Sequence, residues 1–168
     1  MFLVLGIQLN SCVFYSKEVA MSEKGDDPVH VHIVISASVE KVYAAWTQPE
    51  IISQWLFVGP TSEIVHAELD LEPGGMFSIL ELERTDGEFI DHYGTYIEIE
   101  EPKKLVFTLS VPKHFPGETR VTVDVSRAGK DASLTLIQSG VTKEKTERSW
   151  QEMFQNLKKL LEGTRQNR

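Results

Sequence analysis

ELDLEPGGMFSILELERTDGEFIDHYGTYIEIEEPKKLVF, residues 68–107, alternates apolar and polar positions and is cut by Pro73-Gly74-Gly75, Asp86-Gly87 and Glu101-Pro102-Lys103. A period of two marks strands, and glycine- and proline-bearing breaks of two or three residues mark tight turns. Strands joined this closely are antiparallel, because a parallel pair needs a crossover of about a dozen residues or more. Working outward, the same pattern predicts strands over 62–71, 76–84, 88–100 and 104–111. Pro116-Gly117 turns the chain into a strand over 118–127, and Gly129-Lys130-Asp131 leads to another over 132–138. On the amino-terminal side, VHVHIVIS (29–36) alternates and is rich in β-branched residues, which adds a seventh strand.

Helical periodicity brackets this meander. Ser38 is placed to cap a helix with Glu40 in its first turn, and Val39, Val42, Tyr43 and Trp46 form its apolar stripe. Pro49 opens a second short helix over PEIISQWL, which Gly59-Pro60 ends. The last helix spans roughly 143–162. Trp150, Met153, Phe154, Leu157, Leu160 and Leu161 share one face, and Lys145, Arg148, Glu152, Lys159 and Glu162 share the other. A twisted antiparallel sheet must bury one face, and this helix is the largest apolar partner on offer. The expected fold class is α+β: a curved antiparallel sheet of about seven strands, two short helices, and a long carboxy-terminal helix packed across it.

With 168 residues the chain suits one domain, assigned to 29–168. A hydrophobic share of 41% and a charged share of 25% are those of an ordinary globular protein. Seventeen Lys and Arg against 25 Asp and Glu leave a net charge of −8, and the pI is near 5.1. Such a chain repels DNA and anionic bilayers at long range, so no nucleic-acid partner is expected. Residues 1–28 read as a mobile or dispensable arm, with translation starting either at Met1 or at Met21. The apolar run Phe2–Ile7 lacks a basic leader and is far shorter than the roughly 20 residues that span a bilayer, so neither export nor membrane insertion is expected and the protein is assigned to the cytoplasm. Cys12 is the sole cysteine, which rules out an internal disulfide.

The order of these elements resembles the helix-grip fold of the START-like (SRPBCC) superfamily, the architecture also described as START/Bet v-like. SASVEKVYAAWTQPEIISQW (36–55), the Pro-Gly-Gly turn with Phe77 soon after it, GTYIEIEEPKKLVFT (94–108) and the Trp-led final helix are together similar to the activator of heat shock protein 90 ATPase homologue family. The resemblance covers about residues 29–163. It implies a cavity between the long helix and the sheet suited to a hydrophobic small molecule. The family shares no catalytic motif, so the resemblance transfers no catalytic residue and no cofactor.

The candidate site residues follow from where such a cavity would draw its walls. Trp46, Trp55 and Phe57 come from the helical hairpin, Tyr93, Tyr96 and Phe107 from the meander, and Trp150 and Phe154 from the last helix. Pockets are mostly apolar with a few polar groups that orient the ligand, whereas the same rings could equally fill a core. Trp55 and Trp150 are the preferred walls, because each indole N–H needs a partner. Among polar groups, His66 could orient a ligand or act as a base with Glu68 or Asp91, and it could meet His92 across the sheet. Glu81 lies on the strand face shared by Phe77, Ile79 and Glu83; it either points into a pocket with a raised pKa or sits at the sheet's outer edge. His30 and His32 share a strand face but lack a nearby carboxylate to complete a metal set, so no metal is expected.

Three functional readings remain. The first is a binding module for a hydrophobic or aromatic small molecule. The second is a cofactor-free cyclase, dehydratase or hydrolase, which would need two convergent ionisable groups such as His66 and Glu81; the chain holds no GxGxxG, P-loop, HExxH or GxSxG motif. The third is a partner that activates a chaperone ATPase, a role that eukaryotic members of the family perform with an additional amino-terminal domain not present in these 168 residues. A homodimer is open to the chain through its edge strands or the patch at Ile51, Ile52 and Leu56.

Overall fold

Strand β1 (Val29–Ile35) is followed by α1 (Val39–Thr47), α2 (Pro49–Ile52) and six strands: β2 (Ser62–Leu69), β3 (Met76–Glu83), β4 (Phe89–Glu100), β5 (Lys104–Ser110), β6 (Glu118–Ala128) and β7 (Asp131–Ser139). Helix α3 (Lys143–Gly163) closes the fold. This is a computed structural model, and it describes residues 27–163; all but the last two residues of the arm expected over 1–28, and residues 164–168, lie outside the described part. The sheet order is β1-β7-β6-β5-β4-β3-β2, all pairs antiparallel, in one curled sheet.

Strands β2 to β7 are simple neighbours, as tight turns require. The exception is β1, which pairs with β7 at the far edge. The β1–α1–α2–β2 segment must therefore travel from one edge of the sheet to the other. It does so over the inner face, which carries Trp46 and Trp55 into the core. Ser38 caps α1 as expected, its hydroxyl accepting from Lys41 N at 3.3 Å.

Helix α2 is shorter than the expected 49–56. Ser53 Oγ donates to Pro49 O at 2.6 Å and Gln54 Nε2 to Glu50 O at 2.7 Å. Side chains that bond to the backbone in this way compete with continued helix. The chain then turns through Phe57, a non-glycine residue with φ of 59°. This turn buries Trp55 fully and lets its Nε1 donate to Ala45 O at 3.0 Å.

The core is an aromatic cluster between helices and sheet. Trp46 packs edge-on against Trp55 at a centroid distance of 4.7 Å and near Phe107, Trp150 and Phe154. Its Nε1 has no partner among the described residues. Leaving a buried N–H unpaired costs about 1–3 kcal/mol. Burying an indole of roughly 200 Å² at about 25 cal/mol/Å² contributes about 5 kcal/mol as an upper figure, so burial wins.

Close approach between β4 and β5 depends on one residue without a side chain. A Cβ on Gly94 would stand 1.8 Å from Thr108 O and 2.9 Å from the Phe77 ring. Gly94→Ala is expected to lower stability by more than about 3 kcal/mol in urea unfolding; a midpoint like the wild type's would mean the two strands can separate without loss.

Candidate functional site

Helix α3 is fixed to the sheet by a buried chain of hydrogen bonds. Trp150 Nε1 donates to Gln138 Oε1 at 2.7 Å, Gln138 Nε2 donates to Thr119 Oγ1 at 2.9 Å, and Thr119 Oγ1 donates to Leu109 O at 2.9 Å. Gln138 is 1% exposed, so each of its polar atoms needs such a partner. Further along, Lys158 Nζ donates to Val34 O at 3.0 Å and Glu162 accepts from Ser36 N at 2.9 Å, which seats the carboxy-terminal half of α3 against β1.

The amino-terminal half of α3 roofs a cavity of about 420 Å³. Its roof is Lys145, Thr146, Ser149, Trp150 and Met153. One wall is the α2–β2 loop from Phe57 to Ser62. The floor is Glu81, Glu83, His92, Leu109 and Gln138, and His114 and Phe115 of the β5–β6 loop close the side. A second, inner void of about 20 Å³ lies beyond Phe57, Leu109 and Trp150, which border both. That space holds little more than one water, and its lining of Trp46, Phe77, Ile79, Tyr96, Leu105 and Phe107 is otherwise apolar.

Glu81 and His92 form the polar centre of the large cavity. They face each other across β3 and β4, with His92 Nε2 2.8 Å from Glu81 Oε2 and side chains only 4% and 12% exposed. The Phe57 ring lies flat on the imidazole, with centroids 3.8 Å apart and planes 10° from parallel. Phe57 N donates to Met153 Sδ at 3.3 Å, so the strained backbone at Phe57 is held from the α3 side as well. A positive φ on a bulky residue persists only where its surroundings enforce it, and such residues concentrate at ligand sites.

Burial pushes the Glu81 carboxyl up, but hydrogen bonds from His92 and Ser62 and the electrostatic influence of the His92 and His114 rings outweigh it, and the net direction is down from 4.5. Of the two alternatives read from sequence, Glu81 takes the inward position rather than the outer edge, and its carboxyl is shifted down rather than up because it sits among donors. His114 is shifted down, first by burial and then by His92 and Lys145. Among the described residues no group of three His, Cys, Asp or Glu side chains could hold a metal.

Of the candidates read from sequence, Phe57, Glu81 and Trp150 border the large cavity. Trp46, Tyr96 and Phe107 border only the small void, and burial shifts the Tyr96 hydroxyl upward. Trp55 and Phe154 lie in the packed core, bordering neither space. His66 is corrected to the outside: it is exposed on edge strand β2, 3.7 Å from Glu68. It cannot meet His92, since β3 lies between them. Tyr93 is likewise on the outer face, beside Ser78 and Asp91, which bond to each other at 3.0 Å. His92, Gln138 and the loop residue His114 were not candidates, and all three border the cavity.

A curled seven-stranded sheet with a helical hairpin and a long helix over its inner face defines a helix-grip domain of the START-like kind, a fold of generally ligand-binding type. Residues 36–162 match the family described as Activator of Hsp90 ATPase homolog 1-like protein, and the chain belongs to that family. Among curated proteins no match is found. Similar solved structures include protein CV1439 from Chromobacterium violaceum, 24% identical with a TM-score of 0.74, over 80% of this chain and 96% of that one. The AHSA1-like protein from Aeromonas hydrophila is 19% identical with a TM-score of 0.71, over 82% and 94% of the two chains. CalU16 from Micromonospora echinospora is 21% identical with a TM-score of 0.57, over 76% and 71%. At these identities the likeness establishes the fold. No described helix is long and apolar enough to cross a membrane.

Two outcomes follow from the buried polar groups. Trp150→Phe strands Gln138 Oε1 and is expected to cost about 2 kcal/mol in chemical unfolding; adding Gln138→Leu should restore part of that loss, and strict additivity of the two losses would contradict the coupling. Because the folded carboxyl of Glu81 titrates below its unfolded value, its contribution is present above about pH 4.5 and is lost as pH falls through the lower folded value. The stability difference between wild type and Glu81→Gln should therefore shrink below about pH 4.5; a constant difference from pH 7 to 3 would mean that Glu81 is not held by these donors.

Proposed function

We propose that the 420 Å³ cavity binds a small amphipathic molecule, its apolar part against Phe57, Trp150 and Met153 and its polar part toward His92. The observation that carries this reading is a buried polar pair in the floor of a chamber whose walls combine Phe57, Leu109, Phe115, Trp150 and Met153 with polar side chains, while the interior behind it is packed. The volume falls within the usual range of roughly 300–1,000 Å³ for small-molecule sites. Ligands of this kind enter from the Lys145–Ser149 side, where α3 is exposed. The inner void is too small to take more than a methyl-sized tip.

The test is a thermal-shift screen of aromatic and lipid-like compounds on wild type and Ser149→Trp. Ser149 is exposed and its hydroxyl donates to Lys145 O of its own helix, so the substitution narrows the cavity without touching the core. A wild-type Tm that climbs with ligand, by roughly 5–10 °C at a hundredfold excess over Kd, and a flat response in Ser149→Trp supports the reading. Equal shifts in both proteins place binding elsewhere and overturn it.

A second reading, a cofactor-free acid–base enzyme, draws on the same pair. A carboxylate that orients an imidazole through one nitrogen leaves the other to move a proton. Unchanged mass and unchanged NMR spectrum of every bound compound after prolonged incubation argue for binding alone. A product, of new mass or new NMR spectrum, that vanishes in His92→Gln argues for turnover.

A further inference from the structure

His92 has one nitrogen paired and one unpaired. Nε2 lies 2.8 Å from a Glu81 carboxylate whose second support comes from Ser62. An ionised carboxylate can only accept, so the proton of this hydrogen bond belongs to His92 Nε2. In the neutral imidazole that leaves Nδ1 with a lone pair and no proton. Nδ1 is sealed from water and has no partner among the described residues. A buried acceptor without a donor is uncommon, because nearly all such groups are satisfied in folded proteins.

Three features converge on what would satisfy it. His92 lies in the cavity floor, and the residue covering its ring, Phe57, sits in a left-handed loop conformation rather than in a strand or helix. The remaining cavity wall is rich in aromatic and aliphatic surface. Its fixed charges are Glu81, Glu83 and Glu152 against Lys145, which disfavours an anionic ligand beside His92.

We infer that the cavity selects neutral, hydroxyl-bearing aromatic molecules, with the ligand hydroxyl donating to His92 Nδ1 and Glu81 acting as the positioning residue that keeps this nitrogen an acceptor. The inference rests on the binding role proposed for the cavity and specifies the chemical class it takes.

The test uses four probes of one shape: 2-naphthol, 2-methoxynaphthalene, naphthalene and 2-naphthoate. Each is titrated into ¹⁵N-labelled protein and followed by amide shifts of cavity residues. The expected result is 2-naphthol binding about tenfold more tightly than the methyl ether or naphthalene, and naphthoate binding most weakly. In His92→Phe the naphthol preference should fall to within about twofold. Long-range ¹H–¹⁵N correlation on the wild type, which needs no variant to fold, should show His92 as the Nε2–H tautomer. Equal affinities for naphthol and its methyl ether, tightest binding by naphthoate, or a proton on Nδ1 each overturn the inference while leaving the cavity a binding site. If none of the four shifts a cavity amide, the binding role falls with it.

Discussion

The hydrogen bond from Trp150 to Gln138 decides where α3 can lie. It ties an indole N–H on the helix to a side chain 1% exposed in β7, and Gln138 passes the constraint to Thr119 of β6 and the backbone of β5. Three strands thus hold one tryptophan. Mutual support among buried polar groups of this kind rigidifies a structure as long as every member is satisfied, and breaking one link strands the others. With Trp150 fixed and the far half of α3 bound to β1, the first turns of the helix stand over the sheet's open end without filling it.

The consequence is a division of the inner face into two parts. Under α1, α2 and the middle of α3, the aromatic cluster is packed nearly solid, leaving about 20 Å³. Under the start of α3, about 420 Å³ stays open. Phe57 stands at the boundary with its backbone in a conformation few bulky residues adopt. Its ring covers His92, its amide meets Met153, and its side chain borders both spaces. Two of the three buried polar atoms left without partners among the described residues, Trp46 Nε1 and His92 Nδ1, belong to residues that border these spaces. The polar burden of the fold is concentrated where its packing is incomplete.

Most of the fold was legible in the turns. Pro73-Gly74-Gly75, Asp86-Gly87 and Pro116-Gly117 separate runs that match β2 to β6 within one or two residues, because turn chemistry and strand alternation are local properties. The site was legible only in part, because facing depends on register. Tyr93 and Tyr96 are three apart and fall on opposite sides of β4, so both could not line one cavity; the inward set is Ile90, His92, Gly94 and Tyr96. His66 follows an irregularity in β2 between Ile64 and His66, which resets the alternation there. Gln138 had a visible signal, a polar residue at the inward position after Ala132, Leu134 and Leu136. The pairing of Glu81 with His92 had none, since it depends on how β3 and β4 align.

A crystal structure grown with 2-naphthol shows directly whether the space beneath α3 takes a hydroxyl-bearing ring. The expected result is the naphthalene ring between Phe57, Trp150 and Met153 with its oxygen within hydrogen-bond distance of His92 Nδ1. An empty chamber with naphthol bound on the outer face of the sheet, or α3 collapsed onto β3 and β4 with no space beneath it, would contradict it.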